Sequence, residues 1–120
     1  MDISKKISEL KQDPEFAKNV GMILVHNGIV RGWSRGSHEK VSGIEIKADH
    51  EKIEQLRAEY EKSPGIYKIV VEAHEGTFKP GDDVLFLIVA GDIRENVKAC
   101  LATMLDRVKS EAFTKKEIMA

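Results

Sequence analysis

Apolar residues recur along the chain with two different periods, and the switches between them mark out the elements. Ile3, Ile7 and Leu10 fall three and four apart, one face of a short helix with Ser4 as its candidate cap. Asp13 followed by Pro14 signals a second helix start, with Phe16 and Val20 turned inward and Gly21 ending the turn. Met22 to Arg31, MILVHNGIVR, is dense in branched apolar residues and reads as a buried strand in which Asn27 and Gly28 permit a bulge. Trp33 to Lys40 is polar, carries Gly36 and reads as an exposed loop. Val41 to Ala48 then resumes as a strand through Val41, Ile44 and Ile46.

The second half alternates in the same way. Glu51 to Lys62 places Ile53, Leu56 and Tyr60 on one helical stripe among mixed charges, and Ser63, Pro64 and Gly65 stop it. Ile66 to Glu72 is a strand, and GTFKPGDD, through Pro80 and Gly81, supplies the reversal of a hairpin. Asp83 to Ala90, DVLFLIVA, is almost wholly apolar, which puts it at the centre of a sheet with both faces covered. The longest helix follows. Asp92 and Glu95 stand in the capping-box relation at its start, and Val97, Leu101, Met104, Leu105 and Val108 form its stripe. Beyond Lys109 the segment SEAFTKKEIMA reads as an extended or frayed end. The order α, β, β, α, β, β, α predicts an α+β fold with a mostly antiparallel sheet.

The chain of 120 residues and 13.5 kDa suits one domain spanning residues 1–120. With 42% hydrophobic and 32% charged residues it has the material for a core and lacks the signature of disorder. Nineteen Lys and Arg against twenty Asp and Glu leave a net charge of -1, hence no global field for nucleic acid or anionic lipid. Lys115 and Lys116 alone do not make a basic stripe with interleaved aromatics, so nucleic acid is not an expected partner. Cys100 is the only cysteine, so an intramolecular disulfide and a cysteine-built zinc site are both excluded. The first ten residues lack a secretory apolar stretch, and Val84 to Ala90, the longest apolar run, is too short to span a bilayer. No membrane association is expected, and a cytoplasmic location is.

The candidate chemistry is cationic. His26, His38, His50 and His74 are scattered without a metal-ligand spacing, no GxSxG elbow exists, and Gly28, Gly32 and Gly36 match neither a P-loop nor a dinucleotide fingerprint. No metal or cofactor is expected. Arg31 follows a core strand and opens an exposed loop, where a side chain can leave the sheet and face a cleft. Arg94 lies in the first turn of the last helix, where the dipole disfavours a cation, which hints at an anionic ligand; pairing with Glu95 or Asp92 is the plainer alternative. Lys109 and the Lys115, Lys116 pair flank Phe113, and a helix-end lysine satisfying terminal carbonyls is the plainer reading. These residues by themselves support an anion-binding α+β domain.

At these same positions the sequence resembles the large, catalytic subunit of molybdopterin synthase, the MoaE family, from about Val20 onward. GMILVHNGIVRG is similar to the family's opening strand and its Gly-x-Val-Arg element, with Gly28, Val30, Arg31 and Gly32 in the corresponding places. AHEGTFKPGDDVLFLIVAG resembles the hairpin that carries a Gly-x-Leu segment and a Gly-Asp turn, here Gly76, Phe78, Gly81 and Asp82. Arg94 corresponds to the arginine of a His-Arg pair, MLDRVK to an Asp-x-Leu-Lys segment ending at Lys109, and TKKE to Trp-Lys-Lys-Glu. The chain departs from the pattern at Ile93 for the histidine, His74 for an arginine, Thr114 for the tryptophan and His26 for an aromatic, and the family pattern continues past Ala120.

The resemblance implies an α/β-hammerhead-like fold and a homodimer within a heterotetramer, each large subunit receiving a small ubiquitin-like partner. The partner's Gly-Gly tail, as a thiocarboxylate, would donate sulfur to precursor Z, cyclic pyranopterin monophosphate, to build the dithiolene of molybdopterin. Lys109 would be the central catalytic residue and Lys115 the second catalytic lysine, with Lys116 as its one-residue alternative. Arg31, Arg94 and Lys116 would bind substrate. A non-catalytic adaptor that binds a ubiquitin-like tail or an anionic metabolite is the alternative, motivated by the Ile93 departure and the absent tail.

Overall fold

The computed structural model describes all residues, 1–120. In chain order the elements are α1 (Ile3–Lys11), α2 (Phe16–Asn19), β1 (Met22–Ile29), β2 (Val41–Ala48), α3 (His50–Glu61), β3 (Ile66–Ala73), β4 (Gly76–Phe78), β5 (Asp83–Gly91), α4 (Arg94–Glu111) and β6 (Phe113–Met119). The strands form two three-stranded antiparallel sheets, β1-β5-β3 and β4-β2-β6. The α+β class and the antiparallel pairing are as expected. The division into two sheets is not.

β5 is the centre of the first sheet and is buried from Val84 to Gly91. Its side chains alternate between the faces. Leu85, Leu87 and Val89 join the main core with Val97, Cys100, Met104 and Val108 of α4 and Ile53 and Leu56 of α3. Phe86, Ile88 and Ala90 point the other way and are equally buried. The amino-terminal helices cover that side: Ile7 and Phe16 share a groove with Ile23 and Val25 of β1, and Leu10 shares one with Val70 of β3. The Met1 amino group reaches Glu72 at 3.0 Å.

Capping differs from expectation at two helices. Asp2, not Ser4, caps α1, accepting a hydrogen bond from the Lys5 amide at 3.0 Å. At α4 the cap position is Ile93, with no side-chain capping bond, and Asp92 and Glu95 form no capping box. The Asp92 amide is held by the Gly65 carbonyl at 2.9 Å, which keeps this residue in the extension of the sheet. Its carboxylate accepts instead from the Ile93 amide and from Asn96 at 2.9 Å. Gly65 has φ +79°, and a Cβ there would collide with Asp92 and Asn96, so only glycine suits this turn.

Two segments read as turn or tail become strands of the second sheet. Gly76–Phe78 pairs with Ile44–Ile46, although β3 and β5 still run antiparallel on either side of it. The segment after α4 is not frayed: β6 pairs with β2 along almost its whole length, from Ala48↔Phe113 to Val41↔Met119. The Asp49 amide donates to the Ala112 carbonyl at 2.8 Å, locking the β2–α3 junction to the α4–β6 junction.

Because β5 supports both layers, trimming it should be costly. Leu87→Ala, at a position 1% exposed, is expected to lose about 2–5 kcal/mol in urea unfolding. A loss well under 1 kcal/mol would contradict the burial of Leu87 against α3 and α4.

Candidate functional site: a cationic pocket

β1 ends irregularly, and that irregularity opens a pocket. The pairing with β5 shifts register between Gly28 and Ile29, and the chain beyond is fixed by the Val30 amide on Asp82 O at 2.9 Å and the Gly81 amide on Val30 O at 2.8 Å. Arg31 leaves the sheet next. Its guanidinium lies 4.9 Å from the ring centre of Trp33, the only tryptophan, whose other neighbour is the stacked ring of His38 at 5.6 Å.

Two further elements bring cations to the same place. Lys109 sits in the last turn of α4, where the helix dipole favours positive charge. Along β6, alternate side chains share a face, so Phe113, Lys115 and Glu117 point together while Thr114 and Lys116 point away. The result is a pocket of about 240 Å³ in which Arg31, Lys109, Lys115 and Glu117 stand among apolar walls that include Val30, Ile44 and Phe113. Glu117 is tethered by Ser34 Oγ, which donates to it at 3.0 Å.

The electrostatics follow from this crowding. Lys115 keeps an exposed flank, yet the apolar wall desolvates its ammonium and pulls its pKa below the ordinary lysine value. Lys109, Arg31 and Arg35 lower it further, and Glu117 opposes them. His26, half-buried on β1, is held below the ordinary histidine value by burial and then by Lys109.

Arg31, Lys109 and Lys115 are therefore brought together, while Arg94 and Lys116 are not. Arg94 is 74% exposed, 3.8 Å from Glu95, at the opposite end of α4. The fifteen residues separating it from Lys109 span roughly 22 Å of helix. Lys116 lies on the other face of β6, in register with Glu45. Glu117 lines the pocket, Trp33 backs Arg31 and His26 stands behind Gly28; none of the three is a site candidate of the sequence reading. The i, i+2 spacing of Lys115 and Glu117 was the available signal, usable only once the tail is read as a strand. No three His, Cys, Asp or Glu side chains converge to hold a metal ion.

A family model described as MoaE protein matches residues 1–111. The chain belongs to the MoaE family. Family membership supports a role in molybdenum cofactor biosynthesis. The fold is similar to that of molybdopterin synthase from Staphylococcus aureus, with 24% identity, 84% of this chain and 76% of that chain covered, and a TM-score of 0.72. It is also similar to molybdopterin cofactor biosynthesis protein E from Burkholderia multivorans, at 21% identity over 100% and 82% of the two chains and a TM-score of 0.75. A complex of subunits 1 and 2 of the molybdopterin-converting factor from Helicobacter pylori matches at 19% identity, 100% and 84% coverage and a TM-score of 0.68. A search of curated proteins finds no match. No helix of this MoaE-family chain is long and apolar enough to cross a membrane.

The lowered Lys115 pKa makes a signed prediction. The unfolded chain holds that proton up to the ordinary lysine pKa, whereas the folded chain releases it earlier. Between the two values the unfolded state binds more protons, and stability from this group rises with pH. Lys115→Met should be more stable than wild type at neutral pH, and the gap should close as pH rises through the alkaline window below 10.5. Urea unfolding of both proteins at neutral and alkaline pH measures it; a gap that stays constant would contradict the shift.

Proposed function

We propose that this chain is the catalytic subunit of a molybdopterin synthase. It would transfer sulfur from the thiocarboxylated C-terminus of a small ubiquitin-like subunit to precursor Z. The observation that carries this reading is the convergence of Arg31, Lys109 and Lys115, from three different elements, in one apolar-walled pocket. Both reactants are anions, a thiocarboxylate and a cyclic phosphate, and fixed cations set against apolar walls bind such groups and stabilise charge that develops on them. For sulfur to move, its bond to the acyl carbon must break, and that carbon must take oxygen from water to leave as a carboxylate. The reaction therefore moves protons as well as charge. Lys109 is assigned the contact with the reacting thiocarboxylate. Lys115, whose proton is loosened by burial and by its cationic neighbours, is assigned proton exchange. Arg31, braced on Trp33, holds the phosphate.

The two-subunit Helicobacter pylori complex with this fold supports a small partner. Arg94 is too distant to serve the pocket of its own chain, so its substrate-binding role requires a second copy, in keeping with a homodimer inside a heterotetramer. Lys116, on the outer face of β6, is the weaker candidate for substrate contact.

The test is molybdopterin formation from precursor Z by the purified chain with its thiocarboxylated small subunit. Wild type should give product, and Lys109→Ala should lose about 10²-fold or more in turnover while keeping fold and partner binding. Equal activity in Lys109→Ala would remove the assignment of that lysine. The adaptor reading is favoured by Ile93, which is 53% exposed and offers an alkyl group where the family pattern has histidine. A stable complex without product from wild type would select it.

A further inference from the structure

His26 carries the only buried side-chain polar atom of the chain that lacks a hydrogen-bond partner, its ring Nε2. Leaving such an atom unpaired is unfavourable, and native proteins rarely do so without a use for it. The ring lies on the core side of β1, in register with Leu87 of β5, two residues before Gly28. A Cβ built on Gly28 would stand 3.1 Å from Nε2 and 3.3 Å from the Leu85 carbonyl oxygen, so the orphan nitrogen is aimed at the bare backbone of Gly28. Gly28 is itself a wall of the cationic pocket. The groups around the imidazole are few. β5 presents Leu85 and Leu87, α4 presents Lys109, and Arg31, Lys115 and Glu117 line the pocket beyond.

Burial and then Lys109 oppose the charge of the imidazole and favour its neutral form. An anion in the pocket would counter the second of these effects, and it would lie against the Gly28 backbone at which the orphan nitrogen is aimed. We propose that His26 is a conditional fourth cation of the pocket: when an oxyanion binds, the imidazole takes up a proton from solvent and donates its Nε2–H toward the anion. The inference rests on the pocket being an anion site and not on sulfur transfer. By linkage, the oxyanion binds more tightly as pH falls. An aromatic hydrocarbon ring at this position could not couple binding to pH in this way.

The oxyanion can be the phosphate of a small substrate or the carboxylate of an inserted chain terminus, and two probes separate them. Sulfate is a tetrahedral dianion whose charge is constant across about pH 5–8, and N-acetylglycylglycine is a C-terminal carboxylate. The titration of His26 is followed by NMR on the full chain alone, with saturating sulfate and with saturating dipeptide, its resonance assigned by its loss in His26→Gln. Binding is read separately from the fluorescence of Trp33, which touches Arg31. At least one probe should raise the His26 midpoint by about one unit, a tenfold gain in proton affinity, and the probe that does so identifies the source. In His26→Gln, binding of that probe should persist and lose most of its pH dependence. If the variant fails to fold, the wild-type midpoints decide. A midpoint moved by neither probe, or wild-type pH dependence in His26→Gln, would overturn the proposal, as would failure of both probes to bind. Synthase turnover alongside an unmoved midpoint would overturn this inference alone and leave the sulfur-transfer reading intact.

Discussion

The apolar character of β5 on both faces is the constraint from which the rest of the structure follows. A strand that buries Leu85, Leu87 and Val89 on one side and Phe86, Ile88 and Ala90 on the other needs neighbours on both edges and covers on both faces. β1 and β3 supply the edges. α3 and α4 supply one cover, through Ile53, Leu56, Val97 and Met104, and α1 and α2 supply the other, through Ile7, Leu10 and Phe16. Because α4 starts just after β5 and runs antiparallel to it over the sheet, its far end arrives beside the end of β1. That return brings Lys109 to Arg31.

The second sheet completes the site in the same indirect way. β6 pairs with β2 for reasons of backbone hydrogen bonding, yet its two-residue period turns Phe113, Lys115 and Glu117 together toward the end of β1. Arg31, Lys109 and Lys115 gather beside apolar walls and repel one another, an arrangement that a bound anion relieves. Glu117, held by Ser34, offsets part of that repulsion. Burial lowers the pKa of both Lys115 and His26, and the charge of Lys109 lowers each further.

Much of this is legible in the sequence, wherever a local pattern decides the outcome. The apolar density of MILVHNGIVR and DVLFLIVA marks β1 and β5, and the stripe from Val97 to Val108 marks α4, because burial of those residues needs no knowledge of distant partners. The tail was not legible. FTKKEIM has three consecutive charges and no apolar alternation, and it becomes a strand only because β2, about seventy residues earlier, offers a free edge. The split into two sheets is hidden for the same reason. Asp92 misled in another way: the spacing to Glu95 matches a cap, but the hydrogen bond of its amide to Gly65 holds it in the sheet, and the helix starts later. Of the cations, Arg31 and Lys109 were visible as charges at the ends of apolar elements. Lys115 was visible as one of a lysine pair beside Phe113, its separation from Lys116 hidden until the tail is paired as a strand, and Arg94 has no route to the pocket within one chain.

Lys109 and Lys115 share one electrostatic site, and the chemistry of the pocket depends on that. The direct measurement is the pKa of the Lys115 side chain, followed by NMR of its labelled ε-carbon in wild type and in Lys109→Met. The value in wild type should lie below that of an ordinary lysine and should climb toward 10.5 when the charge on Lys109 is removed. An ordinary value in wild type, or no change on removing Lys109, would mean that the two lysines do not form one site.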